Sequence, residues 1–424
     1  MRVLLISANT EIIGMPVLPI GLGAVAAAAE KAGHDVVLLD LLGLDNPELS
    51  IRQAVEEFDP QVTGISVRNI DDQNTGNPRF LLQNVKEIVS WCRKVSRAPI
   101  VIGGSGYSIF PESALEFLGA DMGIQGEGEE AFPLLLSRIR EGSDLSSVPG
   151  LYLPGRGGTG PRQFAKALDE LPLPGPRLWI SSEDVDEWIP FQTRRGCPLR
   201  CSYCSTGAIE GYTLRKRSKE AVADCLTQYV EAGFRKFHFV DNLFNISPSY
   251  ALDLCRELIK RDLSISWRAI VYPGNIGPEL VAAMAVAGCK EVSLGFESGS
   301  DRILHSMNKR FRTYEVLRAS ELFREHGVRR IGFLLLGGPA ESRETVEESL
   351  AFVESLGLDA LRVTTGIRIY PHTMLAEAAR REKMIDPEDE LLLPRFYMKP
   401  DLGEWIRRTV REWARGIRHP VIVS

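Results

Sequence analysis

From Met1 to about Leu153, short apolar, β-branched runs alternate with stretches whose apolar residues recur at helical spacing. The runs are RVLLIS, DVVLLD, QVTGISV, PIVIGG and ADMGIQ, and between them lie LGAVAAAAEKAG, LSIRQAVEEF, FLLQNVKEIVSWCRK and EEAFPLLLSRIREG. Continuous apolar runs predict buried strands, and recurrence every three to four positions predicts amphipathic helices. Five strands joined by helical crossovers predict a doubly wound parallel sheet. Such sheets take ligands at the carboxyl ends of their strands. The informative loops are therefore Asn9 to Pro19, Ser66 to Gln73, Gly103 to Tyr107 and Gly126 to Glu129.

Between Val148 and Arg177 the pattern breaks. Pro149, Pro154, Pro161, Pro172, Pro174 and Pro176 are interleaved with Gly150, Gly155, Gly157, Gly158, Gly160 and Gly175, which predicts a linker or a wrapping strap. The alternation then resumes with IPFQTRR, KFHFVD, ISWRAIV, EVSLGFE, RRIGFLLLG and ALRVTTGIRI as strands and with helices over 218–231, 248–261, 277–287, 313–326 and 343–356. Six βα units suit an incomplete barrel better than a full eight-stranded one. From about Met374 the chain becomes irregular and helical. The expected divisions are 1–147, a linker over 148–180, a barrel over 181–372 and a helical extension over 373–424.

Apolar residues at 44% and charged residues at 25% are ordinary for a folded, soluble protein and exclude wholesale disorder. Lys and Arg number 50 against 56 Asp and Glu, a formal charge of -6, so the chain lacks the footprint of a duplex nucleic-acid binder. MRVLLISANTEIIG reads as a first strand and not as a signal peptide, and no run approaches the ~18 apolar residues of a spanning helix, so the cytoplasm is the expected compartment. Seven cysteines, an odd number, make a poor disulfide framework. Cys92, Cys225, Cys255 and Cys289 are scattered, whereas Cys197, Cys201 and Cys204 form one tight trio.

TRRGCPLRCSYCS sets that trio in a CxxxCxxC spacing directly after a predicted strand. Structural zinc calls for a fourth Cys or His, and no partner pair follows downstream. A cubane [4Fe–4S] cluster on three thiolates leaves one iron open to substrate or cofactor. Three unrelated core cysteines are the remaining reading; Pro198, Arg200 and Ser202 between them make no apolar core run.

The trio, with Tyr203 before its last cysteine and at the end of the first barrel strand, resembles the radical S-adenosylmethionine (SAM) superfamily. The resemblance extends along the barrel. FVDN (Phe239 to Asn242) stands where that superfamily receives the methionine amino group, and GFESGSD carries Glu297, Ser298 and Gly299 where ribose and carboxylate contacts occur. LLLGGPAES resembles the glycine-proline stretch after the fifth strand, and IRIYPHT follows the sixth. The resemblance implies that Asp241, Asn242, Glu297 and Ser298, with a cation such as Arg268 or Arg368, hold SAM. Taken singly, Asp241 could cap a turn, Glu297 serve a buried network and Gly337, Gly338 and Pro339 punctuate a strand end.

In the N-terminal half, Gly21-Leu-Gly23 and Gly126-Glu-Gly128 superficially match a dinucleotide fingerprint. The first lies too far beyond its strand and the second puts Glu127, Glu129 and Glu130 where phosphate should sit. The half is instead similar to the cobalamin-binding domain of class B radical SAM methyltransferases, through PVLPIGLGAVAAAAEKAGH, GISVRNIDDQ, GGSGYSIFPE and GADMGIQGEGE. That similarity implies a Rossmann-like sheet in which Gly103, Gly104, Ser105, Gly106 and Gly126 let a corrinoid and its tail approach closely. The Asp-x-His-x-x-Gly signature whose histidine ligates cobalt is absent, and His34 lies outside any such motif. The lower face of the cobalt is then open, water-bound or covered by another side chain, with Arg68 and Asn69 at the correct strand end; a salt bridge from Arg68 to Asp71 or Asp72 is the plain alternative.

Together the resemblances imply an α/β chain: a cobalamin-binding sheet, a partial (βα)6 radical SAM barrel and a small helical extension. The implied cofactors are a [4Fe–4S] cluster, SAM and cobalamin, and the implied reaction is methyl transfer to an unactivated carbon. A cobalamin-containing cyclase, ring-contraction enzyme or oxidase is the rival, and a non-catalytic cobalamin or redox sensor a more distant one. Expected partners are a small-molecule, peptide or lipid substrate and a low-potential donor of flavodoxin or ferredoxin type, with no nucleic acid. In the tail, Ile406, Val410, Trp413 and Ile417 make one apolar helical stripe amid Arg407, Arg408, Arg411, Arg415 and Arg418. Docking on the open flank of the barrel is preferred over a membrane surface or a cavity lid.

Overall fold

The computed structural model describes residues 1–11, 18–179, 188–417 and 419–423. Part of the loop from Asn9 to Pro19, the expected boundary at 180–181 and Arg418 lie outside the described residues. The chain divides into two units, one of Met1–Asp72, Pro78–Ser182 and Ala208–Gly211, the other of Gln73–Asn77, Glu183–Gly207 and Tyr212–Ser424.

The first unit runs β1 (Arg2–Ser7), α1 (Ile20–Lys31), β2 (Asp35–Asp40), α2 (Pro47–Phe58), β3 (Val62–Ser66), α3 (Leu82–Val95), β4 (Ile100–Gly103), α4 (Ser105–Ile109), α5 (Pro111–Leu118), β5 (Met122–Ile124) and α6 (Gly128–Glu141). Local chemistry sets several boundaries. Asn46 caps α2 by accepting from the Leu49 amide, Pro47 follows it, and Asp59 closes the helix in the left-handed region. The strands pair in parallel in the order β2-β1-β3-β4-β5, the doubly wound sheet expected from the alternation. Val3, Leu5, Val62, Val101, Phe132 and Leu135 fill its core. The Pro/Gly-rich stretch is a strap of this unit: β6 (Leu151–Leu153) and β7 (Gly157–Gly158) extend the sheet in antiparallel fashion, while Val148 and Leu151 enter the core.

The second unit opens with β8 (Ile189–Phe191), β9 (Arg194–Arg195), α7 (Thr206–Glu210), β10 (Arg215–Lys216), α8 (Lys219–Glu231), β11 (Lys236–Phe239), α9 (Pro248–Arg261), β12 (Ser266–Val271) and α10 (Pro278–Val286). It continues through β13 (Cys289–Glu297), α11 (Asp301–Ser306), α12 (Thr313–Glu325), β14 (Arg329–Leu336), α13 (Arg343–Leu356), β15 (Ala360–Thr365), β16 (Ile367–Arg368), α14 (Met374–Arg381), β17 (Phe396–Tyr397), α15 (Gly403–Arg415) and β18 (Val421–Val423). The parallel order is β8-β11-β12-β13-β14-β15, the six predicted strands, with β18 added beside β15. Burial alternates along β11 to β15. One face, with Phe239, Trp267, Phe296 and Leu334, lies under the helices: Arg330 on this face donates to the Leu356 and Gly357 carbonyls at the end of α13. The opposite face carries the half-exposed Arg268, Ser293, Phe333 and Arg362. In the tail, Ile406 and Val410 are fully buried, and Trp413 Nε1 donates to Glu354 of α13 at 2.6 Å, so α15 packs its stripe on the barrel. Among the described residues no helix is long and apolar enough to cross a membrane.

Candidate functional site

The cysteine loop leaves the sheet at a fixed point. Gly196, at φ +85, turns the chain out of β9, and Arg200, at φ +53, turns it again between Cys197 and Cys201. Two segments clasp the loop. On one side, Ser202 N donates to Met307 O at 3.0 Å, and Asn308 Nδ2 donates to Arg200 O at 2.7 Å. On the other, Leu375 N donates to Ser202 O at 2.9 Å. All three cysteines are half-buried. Burial pushes the Cys197 and Cys201 thiols up, the Cys204 thiolate raises both further, and the Lys309 ammonium pulls both down.

Among the described residues no three His, Cys, Asp or Glu side chains form a set that would hold a single metal ion. Three thiols on one loop, within electrostatic reach of one another, fit a cubane, which spans its thiolates more widely than one ion does. The other four cysteines lie on α3, α8, α9 and β13; Cys255 and Cys289 are within electrostatic reach of each other but no third cysteine joins them among the described residues, and burial pushes Cys92 and Cys255 up to about 12 and Cys225 up to about 11.

The predicted SAM-binding side chains fall into different situations. Asn242 Oδ1 receives Thr206 Oγ1 at 3.5 Å, and Cys204 Sγ donates to that same hydroxyl at 3.2 Å, so Asn242 is tied to the loop. Glu297 ends β13 in the left-handed region at φ +67, and its Oε1 lies 3.3 Å from Lys309 Nζ. Lys309 also hydrogen-bonds the Tyr203 hydroxyl, and its side chain is 7% exposed. Ser298 is fully buried, its Oγ 3.0 Å from Ser349 Oγ of α13. Gly299 lies so close to α13 that a Cβ there would stand 2.5 Å from Phe352 Cβ and 2.7 Å from Ser349 Cα.

Three expectations change in detail. Asp241 is wholly buried and engaged by Thr193 and Arg194. Arg268 is not a cation at the strand ends: the register sets it opposite Glu291, and its guanidinium lies 4.4 Å over the ring of Trp188, which precedes β8 at the opposite end of the sheet. Arg368 is buried and donates to the carbonyls of Ile369 at 2.6 Å and Leu391 at 2.9 Å, where it pins the segment before β17. A cation that does sit beside Glu297 among the strand-end residues is Lys309, in the turn after α11, which the sequence pattern left unmarked. Its only signal was a polar Asn308-Lys309 pair directly after a helix end.

In the first unit, a cleft at the strand ends is lined by Asn9, Thr10, Glu11, Val67, Arg68 and Asn69. Among the described residues the side chains of Arg68 and Asn69 have no hydrogen-bond partner, and Asp72 is bonded by Arg79 at 3.2 Å instead of by Arg68. Burial pulls the Arg68 guanidinium down, and the Asp40 carboxylate opposes that. The glycine turn has a reason inside the protein: Gly104, at φ +102, would bring a Cβ within 2.5 Å of Val67 O, and the Gly106 amide donates to that carbonyl at 2.9 Å. Ser105 Oγ donates to Arg68 O at 3.0 Å, and the Gly126 amide donates to Ser108 Oγ at 2.9 Å. Gly103 has only the Ile124 carbonyl near its Cβ position, at 3.8 Å. The turn thus fixes the backbone that presents Arg68 and Asn69.

Residues 192–353 match the Radical SAM superfamily, and residues 6–136 match the B12 binding domain. A protein of Pyrococcus horikoshii, described as an uncharacterized methyltransferase, is 28% identical over 89% of this chain and 83% of its own length. Tryptophan 2-C-methyltransferase of Streptomyces laurentii is 24% identical over 87% of this chain and 73% of its own. Among solved structures, the radical S-adenosylmethionine methyltransferase TsrM from Kitasatospora setae, with cobalamin and a [4Fe–4S] cluster bound, is 22% identical and aligns over 100% of this chain and 91% of its own with a TM-score of 0.86. That likeness is one of fold.

Proposed function

Because the chain belongs to the cobalamin-dependent radical SAM enzymes, we propose that it transfers a methyl group to an unactivated carbon of a small-molecule substrate. When bound, the [4Fe–4S] cluster, SAM and cobalamin supply the radical that takes hydrogen from that carbon and the methyl group that replaces it. The residues of the chain bind, orient and exclude water. Cys197, Cys201 and Cys204 hold the cluster, and the clasp from Met307–Lys309 and Leu375 keeps their loop in place. Lys309 is the cation assigned to the methionine carboxylate, since it stands beside Glu297, whereas Arg268 stacks on Trp188 and Arg368 is bonded to backbone carbonyls. Glu297 and Asn242 offer acceptors on either side of the loop, and Ser298 fixes the turn that presents Glu297.

In the first unit, Arg68 and Asn69 line the strand-end cleft and would contact cobalamin bound there. The Gly103 to Gly106 turn and Gly126 take its nucleotide tail. A donor of flavodoxin or ferredoxin type reduces the cluster, and the cytoplasm, which keeps thiols reduced, is the compartment.

The observation that carries this reading is the presence in one chain of a clasped three-thiol loop and an Arg68–Asn69 strand end that lines a cleft. The test is anaerobic turnover with SAM bearing an isotopically labelled methyl group and a panel of candidate substrates. A product heavier by one labelled methylene unit supports it. A converted product without the label would move the protein to the non-methylating cyclases and oxidases.

A further inference from the structure

Asp241 follows β11 and is 0% exposed. Its Oδ1 accepts from Thr193 N at 2.7 Å and from Arg194 N at 3.0 Å. Its Oδ2 accepts from Thr193 Oγ1 at 2.6 Å and lies 3.3 Å from Arg194 Nε. An ionised carboxylate has about four acceptor sites, and four contacts fill them. The other half of the pair is equally enclosed. The Arg194 side chain is 2% exposed, its guanidinium lies 4.6 Å over the Tyr250 ring and 5.4 Å over Phe244, and among the described residues its Nη1 and Nη2 have no hydrogen-bond partner. Thr193 O accepts from Arg217 N at 2.9 Å, and β9 pairs with β10. Three residues after Arg194 the chain reaches Cys197 through the Gly196 turn.

A buried ion pair contributes little net stability, because desolvation offsets attraction, whereas removing one partner is strongly disruptive. Such a pair is an expensive way to hold two strands together and an effective way to fix one geometry. Its bonds converge on the two backbone amides that precede the cysteine loop.

We infer that Asp241 is a positioning residue: it locks Thr193 and Arg194 and through them sets where Cys197 enters the cluster site, without itself touching SAM. This rests on the cluster assignment made above. Asp241→Asn can keep both backbone bonds at its amide oxygen, but it removes the charge and sets an NH2 against Arg194 Nε and the Thr193 hydroxyl in place of Oδ2. Thr193→Val removes the hydroxyl bond to Oδ2 and the one the hydroxyl accepts from Arg194 Nε at 3.2 Å, and Thr193→Ser keeps both.

The experiment compares anaerobically reconstituted holoenzyme of these variants with wild type in three readouts: the rate of iron loss to a chelator, the electron paramagnetic resonance spectrum of the reduced cluster without SAM, and the SAM dissociation constant. Positioning predicts that Asp241→Asn speeds iron loss about tenfold or more and alters the SAM-free spectrum, in line with the usual effect of residues that orient metal ligands. Thr193→Val should change the same two readouts in the same direction but less, and Thr193→Ser should match wild type. If Asp241→Asn does not fold, the contrast between Thr193→Val and Thr193→Ser decides alone. Unchanged iron loss and an unchanged SAM-free spectrum would overturn the inference, as would a rise confined to the SAM dissociation constant. Wild-type protein without iron would remove the functional reading as well, whereas normal iron in wild type with silent variants removes the positioning role alone.

Discussion

The strand ends of the two units treat their polar residues in opposite ways. In the first unit, Arg68 and Asn69 line a cleft and have no hydrogen-bond partner among the described residues. In the second, Asp241, Ser298 and Arg368 are buried, and their polar atoms bond to the framework. Buried polar groups are almost always satisfied, so a saturated side chain is part of the scaffold and an unsatisfied one beside a cleft is available to a ligand. In the barrel, the groups offered to a ligand are the three thiols, Asn242 and the Glu297–Lys309 pair, while among the described residues the buried Arg268 Nε also lacks a hydrogen-bond partner. The same strand-end topology serves a wide surface ligand in one unit and a narrowly held cluster in the other.

The largest effect should come from the thiols. Replacing any one of Cys197, Cys201 and Cys204 by Ala should abolish cluster assembly, read as iron and sulfide content, while Ala at Cys92, Cys225, Cys255 or Cys289 leaves it intact. Iron retained by the triple variant would dissolve the distinction between the two strand ends.

Next in size is truncation after Leu402. It exposes the surface that Ile406 and Val410 cover, removes β18 and breaks the Trp413–Glu354 bond. Burying an aliphatic side chain is worth about 2 kcal/mol, so the two stripe residues together account for roughly 4 kcal/mol and the melting temperature should fall clearly. The intact protein should not bind anionic liposomes; binding that Trp413→Glu abolishes would contradict docking on the barrel.

Gly299→Ala sharpens the scaffold side of the comparison. Its new methyl meets Phe352 and Ser349 at under 3 Å, and overpacking of this kind costs about 2 kcal/mol in a denaturant titration. Lys309→Met tests the available side: the SAM dissociation constant should rise roughly tenfold or more, because the variant leaves Glu297 half-buried and unpaired and removes the cation for the carboxylate. The smallest effect is at the open cleft. Arg68→Ala should weaken cobalamin binding by about 1 kcal/mol, several-fold in affinity, with little change in the melting temperature of the apoprotein, since among the described residues its side chain makes no hydrogen bond. A large loss of stability there would mean that Arg68 is scaffold too.

Much of this was legible in the sequence because it is local. The helices at Pro248–Arg261 and Arg343–Leu356 coincide with their predicted spans, as a proline at the first turn and a Ser342 cap mark their starts. The cysteine spacing declares itself within eight residues. What escaped depends on partners distant in the chain. Asp241 is saturated by an amide 48 positions away, and the direction of Arg268 follows from its register opposite Glu291 and from Trp188. Among the described residues Arg68 makes no hydrogen bond to Asp72, which Arg79 has taken. β18 escaped because three apolar residues become a strand only when β15 offers an edge. Lys309 escaped because a lysine after a helix end reads as solvated until Glu297 and Tyr203 enclose it.

The most direct measurement is anaerobic reconstitution of the full chain with iron, sulfide and cobalamin, followed by quantification of both cofactors and of 5′-deoxyadenosine formed from SAM under reducing conditions. One [4Fe–4S] cluster and one cobalamin per chain are expected, with SAM cleaved to 5′-deoxyadenosine. The variant with Cys197, Cys201 and Cys204 all changed to Ala should keep the cobalamin and lose both the cluster and the cleavage. Cleavage that survives in that variant, or wild-type protein that takes up neither cofactor, would contradict these expectations.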